Sequence, residues 1–109
     1  MKSQLRQFAV VGLGRFGSAA SLELMRFGHS VVGIDIDARI VNKLADQLTL
    51  AAIADATDEN ALKDLNISNC DAAIVAIGES LEASILCVLL LKSMGIKEIW
   101  AKASSKPHH

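Results

Sequence analysis

Short apolar segments alternate with longer segments of helical character along the whole chain. The apolar residues of the short segments are consecutive, which is typical of parallel strands that are buried on both faces. The pattern predicts five strands, at residues 7–13, 29–35, 50–55, 71–77 and 98–102. It predicts four helices between them, at residues 15–28, 37–47, 57–66 and 80–95.

The residues at the ends of the predicted helices support this division. Gly28 and Gly95 follow helical segments, where a left-handed residue often ends a helix. Asp37 is predicted to cap the second helix and Thr57 to begin the third. Because strands and helices alternate, the fold class is α/β, a Rossmann-like doubly wound parallel sheet with strand order 3-2-1-4-5.

The fourth helix is unusual because residues 81–94 are apolar almost all round. A helix beside a sheet normally needs one apolar stripe. Two explanations remain open: the helix is deeply packed within its own domain, or its second face is buried against another subunit, since large apolar patches are rarely left in water.

Composition narrows the class of protein. The 109 residues suffice for one domain, and the net charge of −1 argues against a nucleic-acid partner. Cys70 and Cys87 form no zinc-ligand pattern and are expected to be buried free thiols in a reducing cytosol. The first residues lead into a strand and do not resemble a signal peptide. The apolar run at residues 85–91 is too short for membrane insertion.

Three glycines between the first strand and the first helix predict a phosphate site. Gly12, Gly14 and Gly17 form the pattern G-x-G-x-x-G in the strand–turn–helix context that makes it specific. The first glycine permits the tight turn, the second lets the backbone approach phosphates, and the third lets helix and strand pack closely. The positive end of the helix then faces the anion.

A carboxylate at the end of the second strand indicates the rest of the ligand. Asp35 lies 18 residues after Gly17, close to the spacing of about 20 expected for a ribose-binding acid. Such a carboxylate favours adenosine or NAD(H) over NADP(H). Asp37 is the competing carboxylate, and Arg39 slightly weakens the argument against a 2′-phosphate.

Other residues at the same sheet edge refine this prediction. Arg15 can reach a phosphate from within the motif, or it is a solvated surface residue. Loops 55–57 and 76–80 follow the third and fourth strands and can line the adenine side. Apart from the terminal pair His108 and His109, the only histidine is His29. Neither a nucleophile–base set nor a P-loop lysine is present, so we expect a binding protein and not an enzyme.

Three segments, "VVGLGRFGSAASLELMRFGHSVVGIDID", "ADATDENALKDLNI" and "DAAIVAIGESLEASILCVLLLKSMGIKEIWAKA", resemble the N-terminal lobe of RCK (regulator of potassium conductance) domains of the KtrA and TrkA type. The resemblance implies a cytosolic Rossmann lobe that binds ATP or ADP, and in TrkA-like members also NAD(H). It further implies that lobes pair and assemble into a ring, an octamer in the family. The ring docks on an integral-membrane potassium-translocating subunit and gates it from the inner face of the membrane.

The resemblance also implies roles for individual residues. The three glycines would contact phosphates through backbone amides, Arg15 would reach the terminal phosphate across a subunit boundary, and Asp35 would hold the ribose. Lys102 would be a further phosphate contact, with an ordinary exposed lysine as the alternative. The implied site comprises Gly12, Gly14, Arg15, Phe16, Gly17, Asp35, Ile36, Asp55, Ala56, Thr57, Ala76, Ile77, Gly78 and Lys102.

The chain departs from the family at its end. The family's lobe continues through a further helix and strand, so residues 1–109 are expected to be a single lobe truncated after its fifth strand. A C-terminal ligand-binding domain is also expected in the longer protein. Two rival functions remain: the NAD-binding half of an NAD-dependent dehydrogenase, and an assembly module that binds no ligand.

Overall fold

A computed structural model describes residues 5–78 and 80–102; Glu79 and residues 103–109, with His108 and His109, lie outside the described residues. Five parallel strands form one sheet in the predicted order 3-2-1-4-5. The strands are β1 (Gln7–Val11), β2 (Ser30–Asp35), β3 (Leu50–Ile53), β4 (Ala72–Val75) and β5 (Glu98–Ala101). The helices are α1 (Arg15–Arg26), α2 (Ala38–Leu44), α3 (Glu59–Asp64) and α4 (Leu81–Ser93), and a short 3-10 helix that the pattern did not predict lies at Ile67–Asn69.

The helices cover the sheet on both faces. Alternate residues of β1 separate the two cores, with Val10 in one and Val11 in the other. The first core packs against α1 and α2, with Val41 and Leu44 buried; the second packs against α3 and α4. This arrangement is the predicted doubly wound fold, and it brings the carboxyl ends of all five strands to one edge.

Burial of strands on both faces was predicted for all five, and it holds only for the central three. Ile53 of β3 is 56% exposed and Trp100 of β5 is 61% exposed. β3 and β5 are the edge strands, where the described helices leave part of the sheet open to solvent. Apolar composition alone does not distinguish a central strand from an edge strand.

The helix ends confirm three of the four predicted signals. Gly28 and Gly95 have φ values of 93° and 94° just after α1 and α4. Asp37 caps α2 by accepting a hydrogen bond from the backbone amide of Arg39. The prediction that Thr57 begins the third helix was wrong, because Asp58 is the capping residue and accepts from the amide of Asn60.

Helix α4 has one buried face and one exposed apolar face. Cys87 and Leu91 are fully buried against the sheet. The exposed face carries four large apolar side chains that are 45–74% exposed: Leu81, Ile85, Leu86 and Leu89. The first explanation for this sequence, deep packing within its own domain, is therefore wrong for the described chain.

Both cysteines are buried free thiols, as predicted. Removal from water raises the pKa of Cys70 and of Cys87 to about 11 in each case. The thiolate is the reactive form of cysteine, so neither side chain is a nucleophile near neutral pH.

Candidate nucleotide-binding site

The glycine loop is shaped by close backbone contacts. Gly12 has a φ of 94°, and its amide donates a hydrogen bond to the carbonyl of Ile34. A Cβ on Gly12 would lie 2.6 Å from the carbonyl oxygen of Ala76, and one on Gly17 would lie 1.7 Å from the carbonyl oxygen of Gly12. Only glycine fits at these two positions, which agrees with the predicted tight turn and close helix–strand packing.

Gly14 differs from the other two glycines because nothing lies within 4 Å of its hypothetical Cβ. The space beside it is part of a cleft, and Gly14 itself precedes the first turn of α1. Gly14, the N-cap residue, has no side chain with which to cap this helix, and the first turn contains no acidic residue. The free amides and the helix dipole at this end suit an anion.

Asp35 holds the glycine loop and the start of the second helix together. One carboxylate oxygen accepts a hydrogen bond from the amide of Leu13 at 2.7 Å. The other accepts from the amide of Asp37 at 2.8 Å. The carboxylate therefore stands at the end of β2, fixed beside the loop, and its remaining lone pairs are available to hydroxyl groups of a ligand.

The loop after β3 is a compact turn. The amide of Thr57 lies 2.9 Å from a carboxylate oxygen of Asp55, and the Thr57 hydroxyl donates to the same oxygen at 2.6 Å. These two hydrogen bonds hold the pKa of Asp55 below its usual value. Ala56 is buried at the centre of the turn.

The loop after β4 closes the other side of the glycine loop. The amide of Ala76 donates a hydrogen bond to the carbonyl of Val11 at 2.7 Å. The carbonyl of Ile77 accepts from the hydroxyl of Ser84 in α4. Residues 76–78 are thereby connected both to β1 and to the first turn of α4.

These segments surround a cleft of about 610 Å³ at the carboxyl edge of the sheet, a size typical of small-molecule sites. Thirteen of the fourteen predicted site residues line it, and the exception is Gly17, which packs against Gly12 below the loop. Asp37, the competing carboxylate, also lines the cleft, and the prediction missed five further lining residues: Val11, Ile34, Ile40, Ala54 and Ala83. The helical period of α2 could have identified Ile40, but the others depend on how the segments meet.

Charge is distributed unevenly along this cleft. The carboxylates of Asp35, Asp37 and Asp55 follow β2 and β3, whereas Arg15 follows β1 and Lys102 follows β5. In the strand order 3-2-1-4-5, the acidic groups lie on one side of the glycine loop and the cations at or beyond it. The acidic side suits hydroxyl groups of a sugar, and the cationic side suits phosphates.

The residues present thus fit an adenine nucleotide or a dinucleotide. The space beside Gly14 is open, and the carboxylate of Asp35 is held in place by two amides. The amide of Arg39 and its guanidinium lower the pKa of Asp37, which therefore adds a second negative charge near the sugar side. Such a pair disfavours a 2′-phosphate.

Two classes of feature are absent from the described residues. Residues 5–78 and 80–102 contain no group of three or more His, Cys, Asp and Glu side chains arranged to hold a metal ion. None of the helices in these same ranges has the length and apolar character needed to cross a membrane.

The chain is similar in sequence to two proteins of bacterial potassium uptake systems. The chain is 50% identical over 104 residues to Ktr system potassium uptake protein A of Bacillus subtilis, and 46% identical over 103 residues to Ktr system potassium uptake protein C of the same organism. These matches cover 95% and 94% of this chain but 47% of each relative. The chain therefore spans about half the length of the curated relatives it matches.

A solved structure and a family model agree with these relatives. The NAD(P)-binding domain of an exopolyphosphatase-related protein from Archaeoglobus fulgidus superposes with a TM-score of 0.78 at 25% identity, covering 92% of this chain and 74% of the other. The family model of the TrkA-N domain matches residues 8–109. With this match spanning most of the sequence, the chain belongs to the TrkA-N domain family.

Proposed function

We propose that this chain is the nucleotide-binding lobe of a regulatory subunit of a bacterial potassium uptake system, and that its ligand is ATP or ADP. The observation that carries the proposal is the cleft itself, in which an open glycine loop and two cations stand beside a fixed ribose-side carboxylate. The names of the relatives supply potassium uptake as the process.

Arg15 favours a nucleotide with exposed terminal phosphates over a dinucleotide. It begins α1 beside Gly14 and lines the cleft. A dinucleotide can be held by the glycine loop and helix dipole alone, whereas a guanidinium adds most where a terminal phosphate carries extra charge. ATP and ADP differ in that charge, so a lobe of this kind can distinguish them.

Regulation would follow from a difference in affinity between two arrangements of paired lobes. A ligand shifts such an equilibrium only if it binds one arrangement more tightly. The proposed lobe is cytoplasmic and is peripheral to the membrane through its partner, an integral-membrane potassium-translocating subunit. It performs no catalysis: its residues bind and orient the nucleotide.

Assembly with further copies is proposed through α4. Its exposed face carries Leu81, Ile85, Leu86 and Leu89, a contiguous apolar surface of the kind that another subunit normally covers. A second copy of the chain is the proposed occupant, in a homodimer that builds a larger ring. Leu89→Glu should then yield a smaller species in sedimentation. Phe27→Glu, at a comparably exposed residue outside α4, should leave the mass unchanged.

Calorimetric titration with ATP, ADP, NAD⁺ and NADH tests the ligand. We expect ATP and ADP to bind, and Arg15→Ala to weaken both by about tenfold, as for loss of one charge-assisted contact. Arg26→Ala is the matched control, because Arg26 lies at the other end of α1, is 67% exposed and pairs with Glu23 outside the cleft. Binding of NAD⁺ or NADH alone would instead favour an NAD(H) sensor or the dehydrogenase rival.

The dehydrogenase rival is favoured by the likeness to an NAD(P)-binding domain, and the glycine loop and Asp35 suit it equally well. Full-length protein that transfers hydride would establish it. Full-length protein carrying Arg15→Ala, tested for potassium uptake in cells that lack the native regulator, examines the proposed process directly. Uptake that no longer responds to the ATP:ADP ratio is the expected result.

A further inference from the structure

Phe16 is a large aromatic residue exposed inside the cleft. It occupies the first turn of α1, next to Arg15, and its side chain is 48% exposed. About half of this residue therefore stays open to solvent. Its contact with a residue that follows β5 supplies a reason for an aromatic residue here.

That contact is with Lys102. The backbone amide of Lys102 donates a hydrogen bond to the carbonyl of Val75 at 2.9 Å, which continues the pairing of β5 with β4 by one residue. The Lys102 ammonium lies 5.9 Å from the centroid of the Phe16 ring. This separation is within the range of a cation–π interaction.

We propose that Phe16 is a positioning residue that holds the Lys102 ammonium at the phosphate end of the cleft. The proposal rests on the proposed function, since it assigns Lys102 to phosphates. It gives Phe16 a role through the lysine and not through contact with adenine or ribose. Nucleotides with more phosphates gain more from it than nucleosides do.

The physical basis is the flexibility of lysine. Its side chain has four rotatable bonds, and fixing it on a phosphate costs conformational entropy. A ring that holds the ammonium near its working position reduces that cost before the ligand arrives. Arg15 begins α1 and Lys102 follows β5, so the two cations that line the cleft come from different elements.

The test compares ligands as well as variants. Phe16→Leu keeps an apolar side chain and removes the π face, and Phe16→Tyr restores the face. We expect Phe16→Leu to weaken ADP binding by about two- to fivefold, to leave adenosine binding unchanged, and Phe16→Tyr to restore ADP affinity. In a Lys102→Met background, Phe16→Leu should have no further effect on ADP affinity.

Three results would overturn the inference. These are unchanged ADP affinity in Phe16→Leu, an equal loss for adenosine and ADP, or the same loss in the presence and absence of the Lys102 ammonium. A measurement on the chain without ligand tests the contact between Phe16 and Lys102 independently of the proposed function. Ring-current shifts of the Lys102 side-chain protons should be present in the free wild type and absent in Phe16→Leu. Their absence in the wild type refutes the contact itself, whereas their presence in a chain that binds no nucleotide refutes the proposed function alone.

Discussion

The carboxylate of Asp35 accepts a hydrogen bond from the backbone amide of Leu13, 2.7 Å away, and so connects the end of β2 to the middle of the glycine loop. The same residue is the predicted ribose ligand. A residue in this position has two separable contributions, one to the conformation of the loop and one to the binding of a sugar. Its second carboxylate oxygen accepts a hydrogen bond from the amide of Asp37, and this bond adds to the contribution that Asp35 makes to the backbone conformation.

Asp35→Ala should therefore destabilise the chain even without ligand. Two backbone amides lose an ionised acceptor at a half-buried position, and we expect the free energy of unfolding to fall by about 1–3 kcal/mol in urea titrations. Asp35→Asn retains one acceptor oxygen, so its free energy of unfolding should lie between those of the wild type and Asp35→Ala. Asp46→Ala removes an exposed carboxylate and serves as the control; an equal loss in both alanine variants would show that the hydrogen bonds contribute nothing.

Replacement by alanine should affect stability at Gly17 and ligand binding at Gly14. Gly17→Ala places a Cβ 1.7 Å from the Gly12 carbonyl oxygen, so we expect a loss of about 3 kcal/mol or more in unfolding free energy. The Cβ added in Gly14→Ala meets no atom within 4 Å, so the free energy of unfolding of this variant should lie within about 1 kcal/mol of the wild-type value. Its methyl group instead enters the cleft and should weaken nucleotide binding in calorimetry. A stable Gly17→Ala chain would contradict the described loop.

Ser21 offers a stabilising substitution. Its side chain is fully buried on α1, and its hydroxyl has no hydrogen-bond partner among the described residues. Since an unsatisfied buried hydroxyl costs about 1–3 kcal/mol, Ser21→Ala should raise the free energy of unfolding by about 1 kcal/mol. Ser21→Val adds volume to the same site and should destabilise. A destabilised Ser21→Ala chain would indicate that the hydroxyl is bonded.

The buried thiols predict a loss of stability at alkaline pH. Cys70 and Cys87 have pKa values of about 11 in the folded chain, above the ordinary value of 9.0, because burial disfavours their thiolates. The unfolded chain releases these protons first, so stability is complete below pH 9 and falls as pH rises from about 9 to 11. Urea titrations across this range should show that the free energy of unfolding falls less steeply with pH in the double variant Cys70→Ala/Cys87→Ala than in the wild type. The same pH dependence in the wild type and in the double variant would refute the raised pKa values of the two thiols.

Much of the fold could be predicted from local pattern. Continuous apolar segments and helical segments alternate, which predicts a doubly wound parallel sheet, and 3-2-1-4-5 is a common strand order for such a sheet. The glycine motif and Asp35 could be predicted because their spacing reflects a strand, a turn and a second strand of ordinary length. The error at Thr57 arose because several neighbouring polar residues can cap a helix, and the competing hydrogen bond from Thr57 to Asp55 is visible only in three dimensions.

The sequence by itself determined the order of elements, the core composition and the position of the glycine loop, because hydrophobic periodicity and glycine act through local geometry. Only the tertiary structure decided which faces stay exposed and which distant groups meet. The open apolar face of α4, the bond from Leu13 to Asp35 and the approach of Lys102 to Phe16 each depend on the packing of segments far apart in sequence. A one-dimensional pattern records what each residue prefers, whereas contact between such segments follows from how the whole sheet and its helices fit together.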